Sequence, residues 1–385
     1  MTHPIVIVGS GFAAYQLVKA IRRQDNDTAI YVVTRDDGHD YNKPDLSHVF
    51  SKQQSVDDLI VTPSETLAKQ LNIQVISHTS VSAIDVADHS IQAGNQTLYY
   101  SKLVLATGAS PFIPPMHGDA SSSLLTLNSL AEFTQCKDRV ASAQRLLVIG
   151  GGLVGVEVAL DLAHAGKEVT IVDPAAALMA NQLPDYVSFK LAQQLAAAGV
   201  TIRTGCTVQQ LTHNPNGSKQ VTLSNTETFN LDEIMVCAGL KANTALALQA
   251  GITVNRGICV DATMATSHVD VYALGDCAEF DGQIRAYLQP TLISANALAK
   301  TLLGQPTPVT LPNMMVKVKT PSYPIQLGGI TSGERIARWE MNVQLDSNSN
   351  GIVAKALDQD DKLLGFVVTE QHVNQSFMLL RSLSA

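Results

Sequence analysis

The sequence predicts an α/β protein: two parallel-sheet units of the βαβ type, followed by a small α+β domain at the C-terminal end. Two observations carry this. A continuous apolar run passes directly into a glycine-rich turn twice, at Ile5–Ala14 (IVIVGSGFAA) and at Leu146–Glu157 (LLVIGGGLVGVE). Runs of that kind suit strands buried on both faces of a parallel sheet. Each is then completed by a second apolar strand, Ile30–Thr34 (IYVVT) and Val169–Asp173 (VTIVD). The third part follows from a change of character after Pro306, where short strand-like segments replace the long apolar runs.

Composition narrows the possibilities. A chain of 385 residues is too long for one ordinary core. The net charge of -8 argues against nucleic acid as a partner. The longest apolar stretch, Leu146–Leu160, is interrupted by glycines and Glu157 and falls short of the roughly 20 residues of a membrane span. No secretory pattern is visible near Met1, so a cytoplasmic protein without membrane contact is expected. The five cysteines (136, 206, 237, 259 and 277) have neither metal-ligand nor disulfide-framework spacing. They are expected to be buried and reduced, with no metal bound.

Taken in order, the elements suggest four segments: 1–113 as the first part of one nucleotide domain, 114–240 as the second nucleotide domain, 241–308 as the remainder of the first, and 309–385 as the C-terminal domain. Between the fingerprints, Val75–Ile84, Ser90–Ala93 and Leu103–Ala109 are strand-like, and Ser121–Ser123 lies in a proline-flanked linker. A hairpin or meander spans Val208–Phe229, turning at Asn214–Gly217. Strands at Met235–Gly239 and Val271–Ala278 precede a helix at Leu288–Leu303. In the last domain, strands are expected at Val316–Val318, Pro324–Leu327, Ile352–Leu357 and Leu364–Val368, with a closing helix at Phe377–Leu383.

The two units are Rossmann-like dinucleotide-binding domains. In the first fingerprint, Gly9, Ser10, Gly11, Phe12 and Ala14 form G-x-G-x-x-A. One glycine permits the tight turn, the next lets backbone approach a pyrophosphate, and the third small residue lets helix and strand pack closely. This unit is read as the FAD site. Thr34 and Arg35 stand where an acidic ribose ligand would be expected, and Asp276 ends a later strand where it can accept hydrogen bonds from sugar hydroxyls. The second fingerprint, Gly150, Gly152, Leu153, Val154 and Gly155, is followed by Asp173, which suits the ribose hydroxyls of NADH and repels a 2′-phosphate. Gly239 ends a strand that repeats the strand-then-glycine form of Leu103–Ala109, and it is assigned to the NADH site as well.

These motifs, together with Thr107-Gly108 and Tyr272–Ala278 (YALGDCA), resemble the FAD-dependent pyridine nucleotide oxidoreductases over about 300 residues. More narrowly, Asp40–Ser47 (DYNKPDLS) is similar to a segment of rubredoxin reductases. The whole chain, with Leu127-Asn128 and Val316–Pro321 (VKVKTP), is similar to the NADH:flavorubredoxin reductases of bacterial nitric oxide detoxification. The resemblance implies FAD and NADH as cofactors and a rubredoxin-type iron–sulfur protein, or flavorubredoxin, as acceptor. It implies that Lys43 and Glu157 form an ion pair near the reactive edge of the flavin, and that Val81, Leu288 and Lys319 also contact FAD. Lys43, Lys52, Arg285, Lys317 and Lys319 would offer positive charge to an acidic partner.

One departure bears on the acceptor. Disulfide reductases of the wider family carry a C-x4-C pair in the first domain, and this chain has no cysteine before Cys136. Electrons leaving the flavin without a thiol relay suit a one-electron acceptor. The competing readings are a reductase serving the ferredoxin of an oxygenase, an NADH oxidase or peroxidase (which would require the missing cysteine), and a non-catalytic NADH-binding sensor.

Overall fold

A computed structural model of the chain describes residues 3–346 and 349–383. The chain divides into two compact units. The first takes Lys43 and the residues before it, Val56–Ser110 and Leu240–Leu311; the second takes Pro44–Ser55, Pro111–Gly239 and the residues from Pro312 onward.

The first unit is organised by a five-stranded parallel sheet in the order Val271–Ala273, Lys102–Leu105, Ile5–Val8, Ile30–Val33, Gln74–Ile76. Ile5–Val8 lies in the middle and is buried throughout, which is why it reads as unbroken apolar sequence. Helix Phe12–Arg22 buries Ala14, Tyr15, Leu17, Val18 and Ile21 on one side and packs against helix Leu288–Leu302. The second unit holds a four-stranded parallel sheet, Thr201–Thr204, Glu168–Asp173, Arg145–Ile149, Glu233–Val236. Its helix Leu153–His164 follows the central strand directly. The expected meander is three antiparallel strands, Val208–His213, Lys219–Leu223 and Thr228–Leu231. The C-terminal part is a five-stranded antiparallel sheet, backed by helix Ser376–Ser382 through Phe366, Val368, Leu379 and Leu383.

Several elements differ from expectation. Val75–Ile84 is not one strand: Gln74–Ile76 ends in the parallel sheet and Val81–Asp85 begins a separate antiparallel one. Between them the His78 and Thr79 amides donate to the Asp36 and Thr34 carbonyls, so the chain leaves the ladder to follow the loop after Val33. Leu103–Ala109 and Val271–Ala278 stop as strands at Leu105 and Ala273, because the chain then turns through Gly108 and Gly275 at positive φ. The linker at Ser121–Ser123 contains a 3-10 turn, Asp119–Ser122. Strand Arg338–Asp346 was not expected at all. It is the edge of the C-terminal sheet, and Arg338, Glu340, Met341 and Asn342 are exposed, so burial imposes no apolar alternation on it.

An ion pair ties the second sheet at its base. Asp232 accepts from the Arg145 guanidinium at 2.7 Å and from the Arg145 and Gln144 amides. The arginine hydrogen bond leads in holding this carboxyl down to about 2, aided by the two amides. A depressed carboxyl contributes its stability above its unfolded value and loses it as pH falls towards the folded one. The loss therefore lies between about pH 4 and pH 2. Asp232→Asn is expected to lower stability at pH 7 and to flatten the stability curve in that window, as followed by acid unfolding; equal acid arms in variant and wild type would refute the assignment.

Among the described residues, no helix is long and apolar enough to cross a membrane, and no group of His, Cys, Asp or Glu is placed to hold a metal ion.

Candidate nucleotide and redox sites

The two glycine turns have the same backbone. Gly9 and Gly150 sit at φ 113 and 114, and Gly11 and Gly152 cap their helices at φ -76 with ψ -175 and -174. A Cβ on Gly9 would lie 2.2 Å from the Ala106 carbonyl oxygen; on Gly150 it would lie 2.4 Å from that of Cys237. Both turns are thus pressed against the neighbouring strand, and only glycine fits. Gly11 and Gly152, in contrast, are exposed and face open space. Neither helix has a side-chain cap at its N-terminus. Each turn therefore presents backbone amides and the positive end of a helix dipole, without a Cβ in the way, which fits a pyrophosphate.

The third positions differ. Gly155 lies so close to Gly150 that a Cβ would stand 1.8 Å from its carbonyl oxygen, whereas Ala14 is fully buried with its methyl accommodated. The strand ends differ too. Asp173 accepts from the Gly151 amide at 2.5 Å and from the Ala175 amide at 2.7 Å, which fixes its carboxylate beside the second turn. In the first unit Thr34 is buried and accepts from the Ser10 hydroxyl at 2.9 Å, so a neutral pair stands where the other unit has a carboxylate. Arg35 extends into solvent beside Asp36. Because Thr79 follows the Thr34 carbonyl, Val81 enters its strand just beyond the same loop.

Other expected residues gather around the first turn. Gly275 packs so closely that a Cβ would lie 2.7 Å from the Ala13 side chain, which brings Asp276 to the start of helix Phe12–Arg22. Lys43 Nζ lies 3.4 Å from Asp276. Thr107 and Gly108 are held by Asn243: its side-chain amide donates to the Thr107 carbonyl at 2.8 Å, its backbone amide donates to Gly108 at 3.0 Å, and its carbonyl accepts from the Thr107 hydroxyl. Nothing in the sequence marked Asn243, since its partners are more than a hundred residues away. Leu288 begins its helix and is exposed, as is Tyr287 before it.

In the second unit, Glu157 lies in the second turn of helix Leu153–His164 and is buried. It accepts from the Ser47 hydroxyl at 2.7 Å and from the Lys319 amide at 2.9 Å, while Lys319 Nζ donates to the Pro44 carbonyl. Within the first unit Lys43 is thus engaged by Asp276, and within the second Glu157 is held by a hydroxyl and a peptide N–H. Burial lowers the nearby His48 imidazole below its ordinary value. Leu153 and Val154 follow the second turn directly, and Gly239 lies just beyond strand Glu233–Val236; Val154 and Gly239 are exposed. Lys52 and Lys317 are exposed, while Arg285 has a buried Nε without a protein partner.

Residues 3–297 match the family model for pyridine nucleotide-disulphide oxidoreductases, and residues 308–383 match that for a rubredoxin binding C-terminal domain. The chain belongs to the pyridine nucleotide-disulphide oxidoreductase family. It is 50% identical to the nitric oxide reductase FlRd-NAD(+) reductase of Aliivibrio fischeri, across 100% of this chain and 99% of that one. Among solved structures it is similar to the covalent putidaredoxin reductase–putidaredoxin complex, at a TM-score of 0.86 and 25% identity over 98% of this chain and 93% of the other. NADH:rubredoxin oxidoreductase from Clostridium acetobutylicum shares its fold at a TM-score of 0.81 and 20% identity, covering 99% and 95% of the two chains. All five cysteines are free, and burial raises every thiol, those of Cys136 and Cys237 to about 12. Burial of this kind disfavours the thiolate, the reactive form of cysteine.

Proposed function

We propose that this chain is an NADH-dependent FAD flavoprotein that reduces the rubredoxin centre of a flavorubredoxin, or a rubredoxin, and so supplies electrons for nitric oxide reduction. The observation that carries this is the combination, in one chain, of two open glycine turns with a C-terminal region matching a rubredoxin-binding domain. Full-length identity to a relative named for that activity supports it. A cytoplasmic location belongs to the same reading.

Bound FAD supplies a centre that accepts a hydride and gives up electrons singly. The first unit holds its pyrophosphate on Gly9, Ser10, Gly11, Phe12 and Ala14. Thr34, Arg35 and Val81 serve the adenosine end, and Asp276, Thr107, Gly108 and Leu288 the remainder. Gly150, Gly152, Leu153, Val154, Gly155 and Gly239 receive NADH, with Asp173 accepting from its ribose hydroxyls. The roles of Lys43, Glu157 and Lys319 toward the flavin come from the family resemblance. A buried carboxyl group held by two donors is fixed in place and does not reorganise during reaction, which is what positioning a nicotinamide requires.

The test is stopped-flow reduction of FAD-loaded protein by NADH, followed by mixing with a rubredoxin or with a [2Fe–2S] ferredoxin. Fast reduction of rubredoxin and slow reduction of ferredoxin is the expected result. The reverse order would make the chain the reductase of a ferredoxin-dependent oxygenase system, and no NADH-dependent turnover even with dyes would make it a binding protein.

A further inference from the structure

Helix Leu153–His164 (LVGVEVALDLAH) carries a second buried acid, Asp161, which none of the proposed cofactor contacts uses. It lies one helical turn after Glu157, hence on the same face. A buried carboxylate is costly unless its oxygens are hydrogen-bonded, and two on one face repel each other. Asp161 has no cation within salt-bridge distance among the described residues. Its partners all come from one short turn: the Phe50 amide at 2.8 Å, the Ser51 amide at 3.3 Å and the Ser51 hydroxyl.

That turn belongs to Pro44–Ser55, a segment that lies in the second unit although its neighbours in sequence on both sides lie in the first. Three polar contacts tie the segment to the second unit, among others. Pro44 accepts from Lys319, Ser47 donates to Glu157, and Phe50–Ser51 donates to Asp161. Glu157 and Asp161 therefore act as two pegs on one rigid helix, and that helix begins at the nucleotide turn. With both pegs engaged, the segment has one register on the helix. With Asp161 gone, three donors lose their acceptor and Ser47 is no longer held against Glu157 from the far side.

We propose that Asp161 is a positioning residue for the redox reaction: by anchoring Phe50–Ser51 it fixes Pro44–Ser55, and with it the hydroxyl that Ser47 directs at Glu157. The inference rests on the function proposed above for what is being positioned, but the anchoring itself can be measured without activity.

The experiment uses the full chain loaded with FAD, as wild type, Asp161→Ala, Asp161→Asn and Ser51→Ala. Hydrogen exchange is read over residues 44–55 and over the helix, and flavin reduction is followed against NADH concentration. In Asp161→Ala, exchange in 44–55 should rise at least about 10-fold with the helix unchanged, as for local opening of one segment. The limiting rate of flavin reduction should fall about 10-fold, the size of a lost charge-assisted hydrogen bond, while the NADH dissociation constant stays within about 2-fold. Asparagine can still accept from Phe50 and donate to the Ser51 hydroxyl, so Asp161→Asn should recover most of both effects. Ser51→Ala, a change at an exposed position, should give the same pattern at about 2- to 3-fold and keeps the test alive if Asp161→Ala does not fold. Unchanged exchange in 44–55, or an asparagine variant as impaired as alanine, would overturn the inference, the latter because charge and not anchoring would then be the role. A wild type without NADH-dependent reduction would overturn the proposed function instead, and the exchange measurement would still decide the anchor.

Discussion

Gly155→Ala is expected to cut NADH-driven flavin reduction at least about 100-fold while leaving FAD bound and the protein folded. The new Cβ would stand 1.8 Å from the Gly150 carbonyl oxygen, and the neighbour it meets is backbone, which cannot rotate away. Helix Leu153–His164 or the turn before it must shift by more than an ångström, a distortion that costs about 3 kcal/mol at a packed site. The amides at Gly152 would lose their alignment on the pyrophosphate, and a loss of that size is about 100-fold in affinity. The first turn is untouched, so the flavin absorbance of the purified protein should be unchanged. Ala14 provides the internal control. It occupies the equivalent place in the first unit with its methyl already packed, and Ala14→Gly should alter FAD content little. NADH titration of the FAD-loaded variant checks this; an affinity within about 3-fold of wild type would show that the helix can give way there.

The second large effect is expected at Asp173. Its carboxylate accepts from Gly151 and Ala175 and still has lone pairs for a diol. Asp173→Ala removes a charge-assisted acceptor worth about 1.5–3 kcal/mol, so kcat/KM for NADH should fall about 10- to 100-fold. The same change removes the negative charge that opposes a 2′-phosphate, so activity with NADPH should hold steady or rise and the preference for NADH should narrow. Equal losses with the two coenzymes would show instead that Asp173 only braces the Gly151 turn. Asp173→Asn separates the two roles, since it keeps an acceptor for that amide without the charge.

Much of the geometry of the two glycine turns was legible in the sequence because its determinants are local. Gly9, Gly11 and Ala14, and Gly150, Gly152 and Gly155, each lie within a few residues of the turn they build, and the strands before them are buried on both faces and so must be apolar. Arg338–Asp346 shows the converse: an exposed edge strand carries no such pattern and was missed. Asp161 left a partial signal, since two acids four residues apart in an otherwise apolar helix are rarely accidental. What they bind was not visible, because the donors lie more than a hundred residues away, Ser47, Phe50 and Ser51 earlier in the chain and Lys319 later.

By itself, then, the sequence determined the class of fold, the two glycine turns, the carboxylate at Asp173 and the absence of any cysteine ahead of Cys136. Each depends on residue type at short spacing, where backbone geometry allows few alternatives. Only the tertiary structure decided that Lys43 is paired with Asp276, that Glu157 is held by Ser47 and Lys319, that Asn243 braces Thr107-Gly108, and that Pro44–Ser55 belongs to the second unit. Those pairings join segments distant in the chain. A buried charge demands partners but does not specify which, and the choice is made by whichever donors the packed sheets and helices bring within hydrogen-bonding distance.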